Sequence, residues 1–458
     1  MLFNSQVFIL LFFPIVVAGY LSLPRAEWRQ WFIVLSSLIF YAYADLWFLP
    51  YLIGSVIFNW GLGHAVNKNE KRYLLLLGIA ANLGLLGYFK YSVFILGNLY
   101  AFTDLPSPIT HVLLPIGISF FTFQQISFLV DRWRGVAPTY GFREYAFFVV
   151  YFPQLIAGPI VRHQQIIPQL SEDPWRIGYE ERFGRGAILF TLGLTKKVVF
   201  ADQFAKHANA VFAQANDQAV SILDAWTGAL SFAFQIYFDF SAYSDMAIGL
   251  GLIMGLGLPL NFNAPYQAKT IQDFWRRWHI TLSNFFRDYV YIPLGGNRHG
   301  EFRYVVAAVG TMGLCGLWHG AGWPFVIWGL WHGAGLITHH FWRKLDIPMP
   351  LVLSWGLTLL FVLLGWVLFR AETMDTAYTV YGSMFGLQAA GPSVAEEFNL
   401  ILGAVAAAYV LYLPGSVPMV LTHMKPKPIL AAIAAIVFVG LTLEVGKGDL
   451  FEFIYFEF

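Results

Sequence analysis

The residues best placed for chemistry lie in LCGLWHGAGWPFVIWGLWHGAGL (314–336), where two histidines stand in otherwise lipid-like sequence. The pattern WHGAG occurs twice, at 318–322 and 331–335, so His319 follows Trp318 and His332 follows Trp331. An ionisable side chain in apolar sequence is costly and defaults to a functional hypothesis. A neutral imidazole, with a pKa of about 6.5, can take a hydroxyl proton as that oxygen attacks an activated acyl group. That makes His319 the leading candidate for a general base. His332 lies 13 positions further on, about 220° around a continuous helix. The two are therefore expected not to face one pocket, with Pro324 a candidate break between them and one of the pair purely structural. Cys315, four positions before His319, shares its face and permits a Cys–His nucleophile pair. A small buried cysteine that fills space is the commoner outcome. No HExxH or Cys/His ligand spacing is present, so no metal is expected.

A second concentration of polar groups is WRRWHITLSNFFRDYVYIPLGGNRHG (275–300). On a helical wheel over 273–291, Trp275, Trp278, His279, Leu282, Phe285, Phe286 and Tyr289 fall in one arc. Arg276, Arg277, Thr281, Ser283, Asn284, Arg287 and Asp288 fall in the other, and Ile280 is the misfit. The pattern predicts one amphipathic helix lying in the membrane interface, with His279 at the edge of the apolar arc and pointing into protein. The turn at 293–298 ends that helix and offers backbone N–H groups plus Arg298 to an anion. The bland alternative is a surface anchor whose arginines meet lipid phosphates.

A third polar group lies in 231–266. Gln235, Asp239 and Tyr243 are spaced i, i+4, i+8 and share a face, with Asp245 elsewhere on the wheel. A satisfied hydrogen-bond network accounts best for Gln235 and Tyr243. Gly249, Gly251, Gly255 and Gly257 read first as close helix packing.

The elements that must position these residues are membrane helices. The 458 residues are 58% hydrophobic and only 12% charged, with a mean hydropathy of +0.60, against roughly 25% charged in soluble domains. Apolar runs recur at 7–20, 31–43, 73–88, 187–192, 352–369 and 429–443. At about 20 residues per crossing, the chain is expected to be an all-α polytopic bundle of about 10 to 13 transmembrane or re-entrant helices, a single domain over 1–458. The runs lack the dyad alternation of a lipid-facing barrel. A net charge of +1 gives no case for nucleic acid, and one cysteine excludes an intrachain disulfide framework. The first segment has no basic leader and reads as a retained membrane helix. The basic breaks PRAEWRQ (24–30) and NKNEKRY (67–73) suit cytoplasmic loops. Residues 31–66 would then cross twice, turning near LWFLPY (46–51) and leaving the N-terminus outside.

The long motifs identify a family resemblance. FQQISFLVDRWRG (123–135), FPQLIAGPIVRHQQIIPQL (152–170), 234–266, DFWRRWHITLSNFFRDYVYIPLGGNR (273–298) and LWHGAGWPFVIWGLWHG (317–333) resemble the membrane-bound O-acyltransferases, the MBOAT family. Within it they resemble the branch that O-acetylates bacterial polysaccharides of the alginate type. The motif-bearing core is about 111–340. The resemblance implies a bundle with interfacial amphipathic helices around a central tunnel, in the bacterial cytoplasmic (inner) membrane. It assigns the W-H-G histidine to His319 and the W-x-x-W-H histidine to His279. It further implies that acetyl-CoA enters from the cytoplasm as a substrate, with no bound cofactor, and that acetyl passes to a periplasmic serine-esterase-like partner. Trp275, Arg276, Trp278, Asn263, Tyr266, Arg298, Trp318 and Asp239 are then candidates for the donor site or tunnel wall, with His332 and Cys315 second tier. His319 would deprotonate the acceptor, and His279 would orient the donor or stabilise the oxyanion. The polymer stays open between alginate, acetylated cellulose and peptidoglycan.

Two other classes remain. A transporter would make Asp239 and Asp245 matter more than His319, although no inverted repeat is evident. A scaffold of a secretion complex would dock partners by strand addition at LFEFIYFEF (450–458), a segment that also suits an interfacial aromatic anchor.

Overall fold

Proline, glycine and charge decide where this oily chain breaks, and between breaks it is helical. The computed structural model describes residues 1–101, 111–425, 427–445, 447 and 453–454, and no strand occurs among them. Of the C-terminal motif only Phe453 and Ile454 are described; the rest of 450–458, and with it the docking or anchoring reading, lies outside the described residues. The chain forms two compact units, each built from segments distant in sequence. One comprises Met1–Leu194, Tyr243–Leu260 and His423–Glu452; the other comprises Thr195–Ala242, Asn261–Thr422 and Phe453–Phe458.

In the first unit, α1 (Ala26–Ala44) and α2 (Leu49–Ala65) form a hairpin whose turn falls at 45–48, as the basic breaks on either side imply. Then come α3 (Arg72–Leu86) and α4 (Ile118–Trp133). Polar side chains act as glue between these apolar surfaces. Asn59 and Asn82 exchange amide hydrogen bonds of 3.2 and 2.6 Å in the buried contact of α2 with α3. In lipid such pairs replace the hydrophobic drive that holds soluble helices together. The long helix α5 (Ile222–Ile253) ends in this unit. There a Cβ on Gly249 would lie 2.6 Å from the Gly186 carbonyl oxygen, so the close packing expected of this glycine is met by backbone. Asp245 is buried on the same stretch.

The second unit carries α6 (Ile271–Arg277), α7 (Ile280–Phe286), α8 (Glu301–His319), α9 (Trp323–Lys344) and α10 (Leu351–Arg370). Thr270 caps α6 by accepting the Asp273 N–H at 3.0 Å, and Asp273 pairs with Arg277 one turn on at 2.9 Å. The single interfacial helix expected over 273–291 is instead two seven-residue helices broken at Trp278–His279, followed by a π-helical turn at Arg287–Tyr291. The cause is tertiary. Asn263 N–H donates to the Arg277 carbonyl and Ile280 N–H to the Asn261 carbonyl, both at 2.9 Å. These bonds satisfy the backbone groups that a helix end leaves open. Thr281, assigned to the polar arc, is consequently buried.

By length and composition Arg72–Tyr100, Leu351–Arg370 and Pro428–Val445 can cross a bilayer; Leu400–Tyr412 and Ser416–His423 form a pair bent by 66°. The other helices of the all-α bundle are shorter or more polar, as α4 illustrates. Its 16 residues reach only about 24 Å of a core some 30 Å thick, and it buries Gln124, Gln125, Ser127 and Asp131.

Candidate active site

The hairpin of α8 and α9 brings the repeated WHGAG motif together. α8 stops at His319, Gly320–Gly322 turn the chain, and Pro324 sits in the first turn of α9, where its missing N–H is harmless. The helices then close to backbone contact. A Cβ on Gly316 would lie 2.2 Å from the Phe325 carbonyl oxygen, and one on Gly329 would lie 2.2 Å from that of Met312. The wheel angle between His319 and His332 therefore does not apply, because the helix ends at His319 and a new one starts at Trp323. Both imidazoles meet the buried Trp328 ring edge-on, with centroids at 5.1 and 4.8 Å. Phe369 of α10 and Trp318 close around His319 at 5.1 and 4.8 Å.

His279 joins the same cluster from the break between α6 and α7. Its ring lies 6.0 Å from Trp318 and 4.6 Å edge-on from Phe240. Its φ of 41° is an uncommon conformation for a side-chain-bearing residue, and such strain gathers at functional sites. Its protonation pattern follows from Asn261. The Asn261 Oδ1 accepts from Thr281 N–H at 3.4 Å and Thr281 Oγ1 at 2.9 Å, and lies 3.1 Å from His279 Nδ1. A backbone N–H can only donate, so this atom is the amide oxygen and Nδ1 of His279 carries the proton. The His279 Nε2 is then a bare acceptor, buried and without a hydrogen-bond partner among the described residues. His332 has the opposite tautomer. The Trp275 indole donates to its Nδ1 at 3.3 Å, which leaves the proton on Nε2. His279 and His332 are fully enclosed and His319 is 3% exposed.

The other candidates are scattered. Trp275, Trp278 and Trp318 belong to the aromatic cluster; Trp278 stacks on Phe274 at 5.6 Å and meets Trp366 at 4.9 Å. Tyr266 is a buried strut, donating to the Ala233 carbonyl at 2.6 Å and accepting the Trp366 indole N–H at 3.1 Å. Cys315 is buried on α8, one turn before His319. Asp239 is held elsewhere in the unit. Lys197 reaches it at 2.8 Å and bridges on to Asp202, also at 2.8 Å, while the Ile454 N–H donates to its other oxygen at 2.7 Å. Asn263 is half-buried and supplies the backbone bond to Arg277; Arg276 is exposed. Arg298 is exposed too, lining a separate cavity of about 240 Å³ with Arg287, Tyr291 and the Gly295–Gly296 turn. Sequence reasoning missed Asn261. The signal was the paired asparagine of NFN (261–263), from which only the second was chosen.

Imidazoles buried among aromatic rings suit proton transfer without bulk water. The family description "MBOAT, membrane-bound O-acyltransferase family" matches residues 133–370, which include His279, His319, His332 and Asn261. The chain belongs to the MBOAT family. It is a membrane-bound O-acyltransferase, and the relatives give the range of that group. It is 42% identical over 424 residues to a peptidoglycan O-acetyltransferase of Helicobacter pylori, covering 84% of this chain and 80% of the relative. It is 40% identical over 432 residues to a probable alginate O-acetylase AlgI of Pseudomonas aeruginosa, covering 90% and 80%. A teichoic acid D-alanyltransferase of Streptococcus thermophilus is 29% identical over 238 residues, covering 50% of this chain and 57% of that one.

Proposed function

We propose that this MBOAT protein transfers acetyl from acetyl-CoA, bound from the cytoplasm, toward a hydroxyl acceptor for O-acetylation of an exported polysaccharide of the alginate type. A periplasmic partner with a serine-esterase-like fold completes delivery, and the enzyme resides in the bacterial cytoplasmic (inner) membrane. The observation that carries the reading is the pair of buried imidazoles, His279 and His319, both in ring contact with Trp318. His319 takes the acceptor hydroxyl proton as its oxygen attacks the thioester carbonyl. The C–O bond forms, the C–S bond breaks, and the proton passes to the departing thiolate. The His279 Nε2 carries no proton in this tautomer, so it suits accepting a hydrogen bond from a substrate N–H or O–H rather than donating one to an oxyanion. It is a positioning group. General-base catalysis supplies about 10²–10⁴-fold, and alignment of the reactants supplies more.

The test is acetate released from the polymer by mild base, compared between wild type and His319→Ala at equal protein levels. Loss of released acetate is expected; unchanged acetylation overturns the role of His319. The 42% identity to the Helicobacter pylori protein favours a second acceptor, peptidoglycan. Measuring acetate on both polymers from the same cells separates the two.

A further inference from the structure

A cavity of about 740 Å³ lies beside the histidine cluster, between α6, α9 and α10. Its floor is the Trp331 indole stacked on the Phe361 ring, centroids 4.6 Å apart and planes 11° off parallel, with the indole N–H donating to the Phe361 carbonyl at 3.1 Å. Leu357 forms the apolar wall. Leu353 and Leu360, one turn to either side of Leu357, are exposed on a helix apolar enough to cross a bilayer, so this wall runs on into the lipid-facing surface of α10. The other end is polar and charged. Lys269 and Arg343 line it with His339, against one anion, Asp346. Among the described residues neither the Lys269 ammonium nor the Arg343 guanidinium has a carboxylate within 4.0 Å; the Asp273 carboxylate accepts only the Lys269 backbone N–H, at 3.4 Å, and is itself paired with Arg277, whereas the neighbouring Lys344 is paired with Glu301. Trp342 at the same rim is of the kind that settles at headgroup depth.

We propose that this cavity is a binding site for an anionic phospholipid. The headgroup phosphate sits between Lys269 and Arg343, and one acyl chain lies over Leu357 onto the Trp331–Phe361 stack. The volume falls within the usual range for small-molecule sites, about 300–1,000 Å³. Guanidinium and ammonium groups at a membrane surface favour anionic over zwitterionic lipid. Trp331 and His332 are consecutive, and Phe361 meets the His332 ring at 5.6 Å, so a seated lipid would also steady the outer side of the histidine cluster.

The full chain, stripped of lipid in detergent, is offered equimolar phosphatidylglycerol and phosphatidylcholine with identical chains, and bound lipid is weighed by mass spectrometry of the intact complex. Wild type is expected to retain phosphatidylglycerol. Lys269→Gln with Arg343→Gln should lose that preference by roughly fivefold per charge removed. Leu357→Trp, which fills the apolar half and leaves both cations in place, should reduce binding of either lipid and covers the case in which the double variant does not fold. Equal retention of the two lipids by wild type overturns the proposal. So does displacement of bound phosphatidylglycerol by free coenzyme A, which would assign the cations to a soluble phosphate.

Discussion

At the scale of single residues, the positioning of His279 rests on which of its nitrogens holds a proton. Asn261 fixes that for His279 through its amide oxygen. Asn261→Leu should lower acetyl transfer by about one to two orders of magnitude, while Asn261→Asp, which keeps an acceptor at that place, should retain more. A shifted pH–rate profile in Asn261→Asp would mark positioning; a fall in folded protein with an unchanged profile would mark structure alone. Cys315 is buried near His319, yet transfer needs no covalent relay if the histidine acts as base. Cys315→Ser is therefore expected to keep wild-type turnover of acetyl-CoA, and loss of activity would point to an acyl-cysteine.

At the scale of elements, the α8–α9 hairpin is held by backbone contact at Gly316 and Gly329. Any side chain there must push carbonyl-bearing backbone aside. Gly316→Ala should cost about 1–3 kcal/mol and shift Trp328 against His319 and His332, read as a lower melting temperature in detergent together with lost activity. The Asn59–Asn82 pair in the first unit is a gentler case. Asn59→Leu should cost about 0.6 kcal/mol, seen as a small drop in melting temperature with turnover preserved. The α6–α7 break is positioned by the extended segment at 261–263. Neither helix would stop at His279 on its own pattern, since Trp278 and Leu282 continue the apolar arc.

At the scale of the whole molecule, enzyme and transporter readings part at Asp239. Its carboxylate is already committed to Lys197 and the Ile454 N–H. Removing one partner from a buried pair costs about 3–5 kcal/mol, so Asp239→Ala should lower folded yield. Its surviving fraction should nevertheless turn over acetyl-CoA, as His319→Ala protein should not. In proteoliposomes, proton or solute flux that depends on Asp239 but not on His319 would instead favour transport.

The amino-acid sequence determined the class of this molecule unaided. Apolar runs cannot be solvated as loops or open strands in lipid, so an all-helical membrane protein follows from composition, and the α1–α2 hairpin follows from two basic breaks at a fixed separation. The long motifs carried the family and, through that resemblance, His279; an imidazole in apolar sequence singled out His319. What tertiary structure decided was every relation that depends on where a helix stops. A wheel assumes continuity. The Gly320–Gly322 turn and the backbone bonds of Asn261 and Asn263 end two helices just at the histidines, and each break redirects an imidazole by an angle that no local periodicity contains.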